Sequence, residues 1–262
     1  MNTAESDLAI FTEGNANNKP IVFIHGFPYD HTMWDKQVDE LKLNHFCVTY
    51  DIRGLGQSPI GDGQYTIESF VDDLETIVRE QKLAKQILCG LSMGGYIALR
   101  AVERNEDKYS GLILCDTRSG SDTDEGKIKR AENIKKINTL GVKQFVNDFV
   151  PLCFSVKSIT DANDEYTRVL NKSLSSNAIG VKGCLLAMAG RTDTTSYLSK
   201  IKMPTLLLCG EDDRLTPPDV MELMAEQISG SQFAIVPNAG HMSPIEDAPF
   251  VNSKIKKFLG RI

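Results

Sequence analysis

Gly90-Leu91-Ser92-Met93-Gly94 is the part of this 262-residue chain whose spacing points most directly to chemistry. Glycines two positions before and after a serine let the backbone turn sharply from a strand into a helix, so that the hydroxyl projects from the turn. The apolar run Gln86–Leu91 in front and the helical pattern over residues 93–103 behind supply that setting. A serine hydroxyl is a poor nucleophile until a base takes its proton, so the motif calls for a histidine and a carboxylate to orient it. The chain has four histidines, His25, His31, His45 and His241. His241 lies in the small-residue loop Asn238-Ala239-Gly240-His241-Met242-Ser243, after the last apolar run, at the strand end where open α/β sheets bind ligands. For the carboxylate, Asp213 follows Gly210, the glycine closing the preceding apolar run, by three positions. Asp212 and the run-ending Asp116 compete with it.

These residues need a scaffold that brings distant loops to one edge. Residues 21–25, Phe46–Tyr50, Gln86–Leu91, residues 111–115, residues 204–209 and Gln232–Val236 are too short for core helices and too continuously apolar for half-exposed strands, so they read as parallel strands buried on both faces. Between them, Ile67, Phe70, Val71, Leu74, Ile77 and Val78 share one helical face behind the capping residue Thr66. Residues 93–103, 219–228 and 245–259 are comparable. Thr216-Pro217 and Ser243-Pro244-Ile245-Glu246 read as helix-start signals for the last two. Repeated strand and helix predict an α/β fold, a doubly wound, mostly parallel sheet with helices on both faces.

The alternation stops once. Between a core of residues 1–117 and 200–262, residues 118–199 lack strand patterns but show helical ones at 128–140, 142–150 and Ala178–Ala189, which reads as a helical cap inserted after a central strand. Within it Lys127, Lys129, Arg130, Lys135 and Lys136 form a basic face opposite Ile128, Ala131, Ile134 and Ile137, read as a solvated helix surface rather than an anion site.

Composition removes whole classes of function. With 41% hydrophobic and 24% charged residues the chain reads as an ordinary soluble domain, and a formal charge of −6 argues against nucleic acid and anionic membrane surfaces as partners. No stretch approaches the ~20 apolar residues of a membrane span, and residues 1–7 lack a secretory pattern, so a cytoplasmic protein is expected. Cys47, Cys89, Cys115, Cys153, Cys184 and Cys209 show no CxxC spacing and read as buried, reduced thiols; no metal site is expected.

The elbow at Ser92, His25-Gly26-Phe27-Pro28, the loop Asp51-Ile52-Arg53-Gly54-Leu55-Gly56-Gln57-Ser58, the Gly210–Pro217 block with Asp213, and Ala239-Gly240-His241 together resemble the α/β-hydrolase superfamily. The resemblance is closest to its capped serine-hydrolase branch of carboxylesterases, 3-oxoadipate enol-lactonases and cofactor-free haloperoxidases. It spans nearly the whole chain, and the order Ser92, Asp213, His241 is the order that family uses. The resemblance implies an oxyanion hole made by the backbone N–H groups of Phe27 and Met93, a structural role for His25, and a glycine turn at 51–58 pinned by Arg53. The sequence departs from the family in opening with one short strand pattern, residues 8–12, where a longer hairpin is usual.

The expectation is therefore a cofactor-free serine hydrolase cleaving a small to medium carboxylic ester or lactone. A perhydrolase, or a slow-turnover small-molecule receptor of the same superfamily, is the alternative. Serine rather than aspartate at the elbow argues against epoxide opening and halide displacement. Phe27 and Met93 at the floor, with Phe145, Phe149, Leu152, Phe154, Leu185, Leu186 and Met188 from the insertion, predict a mostly apolar pocket. The insertion could also serve as a homodimer surface.

Overall fold

The apolar pattern marks six of the seven strands in the computed structural model, which describes residues 7–161 and 163–262. They are β2 (Pro20–Ile24), β3 (Phe46–Tyr50), β4 (Gln86–Leu91), β5 (Tyr109–Cys115), β6 (Thr205–Gly210) and β7 (Gln232–Val236). With β1 (Ile10–Glu13) they form one sheet in the order β1-β3-β2-β4-β5-β6-β7. Every pairing is parallel except β1 with β3, so the fold is the expected doubly wound α/β architecture with one short antiparallel strand at its edge. Strands β4 and β6 are buried along their whole length. β7 departs from the expectation of burial on both faces. It is the last strand of the sheet, and only Val236 in it is buried.

Helices α1 (Asp35–Leu41), α2 (Ile67–Glu80), α3 (Met93–Asn105), α9 (Pro218–Gln227), α10 (Ser243–Glu246) and α11 (Ala248–Leu259) accompany the strands. α2 forms as its sequence predicts. Thr66 accepts from the Ser69 N–H while the Ser69 hydroxyl accepts from the Thr66 N–H, and Ile67, Phe70, Val71, Leu74 and Ile77 are buried. The expected single helix over 245–259 is instead two. Asp247 leaves helical geometry at φ −132° and ψ 67°, Pro249 stands in the first turn of α11, and the Asp247 side chain accepts from Phe250 N–H.

Between β5 and β6 the chain is helical: α4 (Asp124–Leu140), α5 (Val142–Phe149), α6 (Val156–Thr160), α7 (Asp164–Ser173) and α8 (Ala178–Ala189). The sequence reading contains α4, α5 and α8 but not α6 or α7. Only Val169 and Ser173 of α7 are buried, too few to write an apolar stripe. The basic face of α4 divides. Lys127, Lys135 and Lys136 lie toward solvent, but Arg130 turns inward onto Asp122, and Ile128 on the supposed apolar side is exposed. All six cysteines are free and buried. Among the described residues no helix is long and apolar enough to cross a membrane.

Candidate active site

Ser92 joins β4 to α3 with φ 54° and ψ −114°, a conformation that non-glycine residues seldom adopt. Its surroundings explain the flanking glycines. A side chain at Gly90 would overlap the Gly94 carbonyl, and one at Gly94 would overlap the carbonyl oxygen of Ile24 on β2. Two hydrogen bonds hold the turn: Ser92 N–H donates to Cys115 O at 3.0 Å, and Thr117 Oγ1 donates to Ser92 O at 2.8 Å.

The other two chemistry-bearing residues meet across the ends of β6 and β7. Nδ1 of His241 is 2.8 Å from Oδ2 of Asp213. Asp213 Oδ1 accepts from the N–H groups of Leu215 and Thr216 at 2.8 and 3.0 Å, and Oδ2 accepts from the Thr216 hydroxyl at 2.5 Å. That hydroxyl also lies 3.2 Å from His241 Nδ1. Burial pushes the Asp213 carboxyl up, but the His241 ring, Thr216 hydroxyl and Thr216 N–H outweigh it and hold the carboxyl below the usual carboxylate range.

Of the competing acids, Asp116 is engaged elsewhere. Asp116 Oδ1 accepts from Gly210 N–H at 2.7 Å and Oδ2 accepts from Ser243 Oγ at 2.5 Å. Burial, reinforced by the charge of Asp213, raises its carboxyl well above the ordinary range. Asp212 is exposed. Thr216 and Ser243, read from sequence as helix caps, thus spend their hydroxyls on these two carboxyls. Glu246, expected in a capping box, instead accepts from Gly240 N–H at 2.7 Å, Ser155 N–H at 2.9 Å and Ser158 Oγ at 2.7 Å, joining the His241 loop to the insertion.

Ser92 and His241 line one cavity of about 230 Å³. Neither Ser92 Oγ nor His241 Nε2 has a hydrogen-bond partner among the described residues, and the same holds for the N–H of Phe27. Met93 opens α3, where N–H groups have no acceptor within the helix. His25 is a brace. Its Nδ1 meets Gly26 O at 2.8 Å and its Nε2 accepts from Ile52 N–H at 2.9 Å. The turn at 51–58 is held differently from expectation. Asp51 accepts from His31 and from Gln57 N–H, while Arg53 reaches away to Asp73 on α2.

Of the expected pocket residues, Phe27, Phe149 and Met188 line the cavity. Phe145 is not at its surface, because it is buried beneath Phe149, stacked at 5.3 Å. Met93 is fully buried below the elbow, Phe154 packs edge-on against Tyr166 at 5.2 Å, Leu185 is buried, and Leu152 and Leu186 face solvent. Sequence reasoning missed the polar wall made by Tyr96, Arg118, Asp122, Lys129, Arg130 and Asn133. Asp30, His31 and Asp51, and Asp116, Cys209 and Asp213, each bring ligand atoms close enough to share a metal ion. Both sets are already hydrogen-bonded within the protein.

Residues 19–248 match the family described as alpha/beta hydrolase fold. The chain belongs to that family. Within it, the hydrolase is 30% identical over 240 residues to 3-oxoadipate enol-lactonase 1 of Acinetobacter baylyi, covering 91% of this chain and 88% of the relative. Among solved structures, a thermophilic esterase from Thermogutta terrifontis superposes with a TM-score of 0.94 at 34% identity, covering 100% of this chain and 96% of that one. The enol-lactonase from Burkholderia xenovorans LB400 gives 0.91 at 25% identity, covering 98% and 99%.

Proposed function

We propose that this member of the family hydrolyses a small to medium carboxylic ester or lactone through an acyl-enzyme, with Ser92 as nucleophile, His241 as base and Asp213 as its orienting acid. The observation that carries the proposal is the 2.8 Å contact of His241 Nδ1 with Asp213, made beside a cavity that Ser92 also lines. With Nδ1 engaged, Nε2 is the ring nitrogen left to serve Ser92.

In the first step Ser92 Oγ attacks the carbonyl carbon as His241 takes its proton, and the oxygen that becomes negative is received by the Phe27 and Met93 N–H groups. The alkoxide leaves with the proton from His241. Water then gives a proton to the same nitrogen as it attacks the acyl group, and His241 returns that proton to Ser92 Oγ as the acid leaves. A lactone follows the same two steps, with the alcohol remaining part of the product. The similarity to an esterase and to enol-lactonases supports both substrate forms.

Ser92→Ala is expected to abolish turnover of nitrophenyl esters while leaving the circular dichroism spectrum and melting temperature close to those of the parent. Hydrolysis at the parental rate by the folded variant would refute the reading. Steady turnover with a measurable kcat separates an enzyme from a slow-acylating receptor.

A further inference from the structure

One wall of the cavity beside Ser92 carries charge that acyl transfer does not use. Arg118, Lys129 and Arg130 line it with Asp122, on a chain whose formal charge is −6; of these Lys129 is paired with Glu132 at 3.3 Å. Asp122 is already neutralised. It accepts from Arg130 through both oxygens and from Arg191 Nη1 at 2.6 Å. Although burial opposes them, these guanidiniums hold its carboxyl below the usual range. Arg118 has no such partner. Its Nη2 donates to the Leu215 carbonyl, its Nε is buried without an acceptor, and no carboxylate among the described residues pairs with it.

An arginine that lines a cavity without a carboxylate partner leaves its charge to be met by an anion entering there. Arginine's planar fork fits a carboxylate with two parallel hydrogen bonds, and the neighbouring positive charges strengthen the attraction in a partly dry site. We infer that the substrate is an ester or lactone bearing a free carboxylate, which Arg118 binds within the Ser92 cavity, while Arg130 and Arg191, two guanidiniums on the one carboxylate of Asp122, leave a further net positive charge beside it. This inference rests on the acyl-enzyme reading above. The cavity's ~230 Å³ suits a short-chain acid rather than a long lipid.

The test compares matched substrates that differ in one charge. One pair carries it on the acyl side, mono-4-nitrophenyl glutarate against 4-nitrophenyl hexanoate. A second carries it on the alcohol side, 4-acetoxybutanoate against pentyl acetate. In at least one pair the charged member is expected to have a kcat/KM higher by about tenfold or more, the yield of one charge-assisted contact. That ratio should shrink as salt is raised. Arg118→Met should bring it close to one, and Arg118→Lys should keep part of it. Both members are assayed on one preparation, so partial loss of folded enzyme cancels from the ratio. Should Arg118→Met fail to fold, competitive inhibition of the parent by glutarate but not by glutaramide replaces it. Equal or better turnover of the neutral member in both pairs overturns the inference, as does a ratio that survives Arg118→Met or equal inhibition by the two compounds. Failure of the acyl-enzyme reading is separately visible, because Ser92→Ala would then still hydrolyse every ester.

Discussion

Replacing Asp213 by asparagine removes one charge, and the hydrogen bonds around it dictate what happens next. Oδ1 accepts from two backbone N–H groups at 2.8 and 3.0 Å, and orphaning those buried donors would cost about 1–3 kcal/mol each. The asparagine oxygen is therefore pinned in the Oδ1 position. Its NH2 must take the place of Oδ2, 2.8 Å from His241 Nδ1 and 2.5 Å from the Thr216 hydroxyl. A donor there forces Nδ1 to accept, which moves the ring proton to Nε2. The nitrogen proposed to serve Ser92 can then no longer take a proton. Loss of the correct tautomer together with the stabilising charge is worth about 10⁴-fold in kcat, or ~5.5 kcal/mol of barrier. The assay is ester hydrolysis at neutral pH, with near-ultraviolet circular dichroism to show that the variant is folded. A folded Asp213→Asn retaining more than a tenth of the parental kcat refutes the reasoning. If Asp116→Asn suffered the large loss instead, the role of the acid would pass to Asp116.

Two further predictions concern stability. Gly94→Ala drives a methyl into the Ile24 carbonyl and is expected to destabilise by about 2–4 kcal/mol and to depress kcat, read as a lower urea midpoint; unchanged midpoint and rate would show that the elbow is not crowded. Asp116 has a folded-state pKa raised by burial, so the stability it lends is complete below its unfolded value of about 4 and is lost as pH climbs from there toward the folded value. Asp116→Asn has no such titration and should gain on the parent as pH rises above the unfolded carboxyl's range in urea unfolding, whereas parallel curves would refute a raised carboxyl.

How much of this was legible in the chain depends on how far apart the partners lie in it. Six strands, the elbow and the α2 cap are written within a few residues of themselves, through apolar runs, glycine spacing and the hydroxyl of Thr66, and they form where they are read, with β7 alone lacking the expected burial. Thr216 and Ser243 also carry a legible local signal, a hydroxyl before a proline-led helix. Thr216 gives its hydroxyl to Asp213 only three positions back, where the helix-start signal masks it, whereas Ser243 gives its own to Asp116, 127 positions away, which no local pattern can show. Arg118 was illegible for the same reason, since it is held at the cavity by the Leu215 carbonyl, 97 positions away. The expectation of an apolar pocket erred by counting aromatic residues in the insertion. Phe145 and Phe154 bury themselves against Phe149 and Tyr166, and the space they would have lined is given to charged groups.

The brace made by Glu246 bears on how such enzymes can exchange parts. One carboxylate ties the N–H of Gly240, next to His241, to Ser155 and Ser158, while Met242 N–H donates to Cys153 O at 3.1 Å and Arg214 to Phe154 O at 3.1 Å. Residues 153–158 are thus continuous in sequence with the insertion but belong mechanically to the loops that carry His241 and Asp213. A chimera cut at the obvious seams, on either side of the whole insertion, would bring in a foreign stretch there and leave Glu246 with Gly240 alone of its three donors. A transplant that keeps this short segment native and trades only the helices before and after it would change the pocket wall while sparing the alignment of His241. The workable boundary for recombination therefore runs through the middle of the insertion.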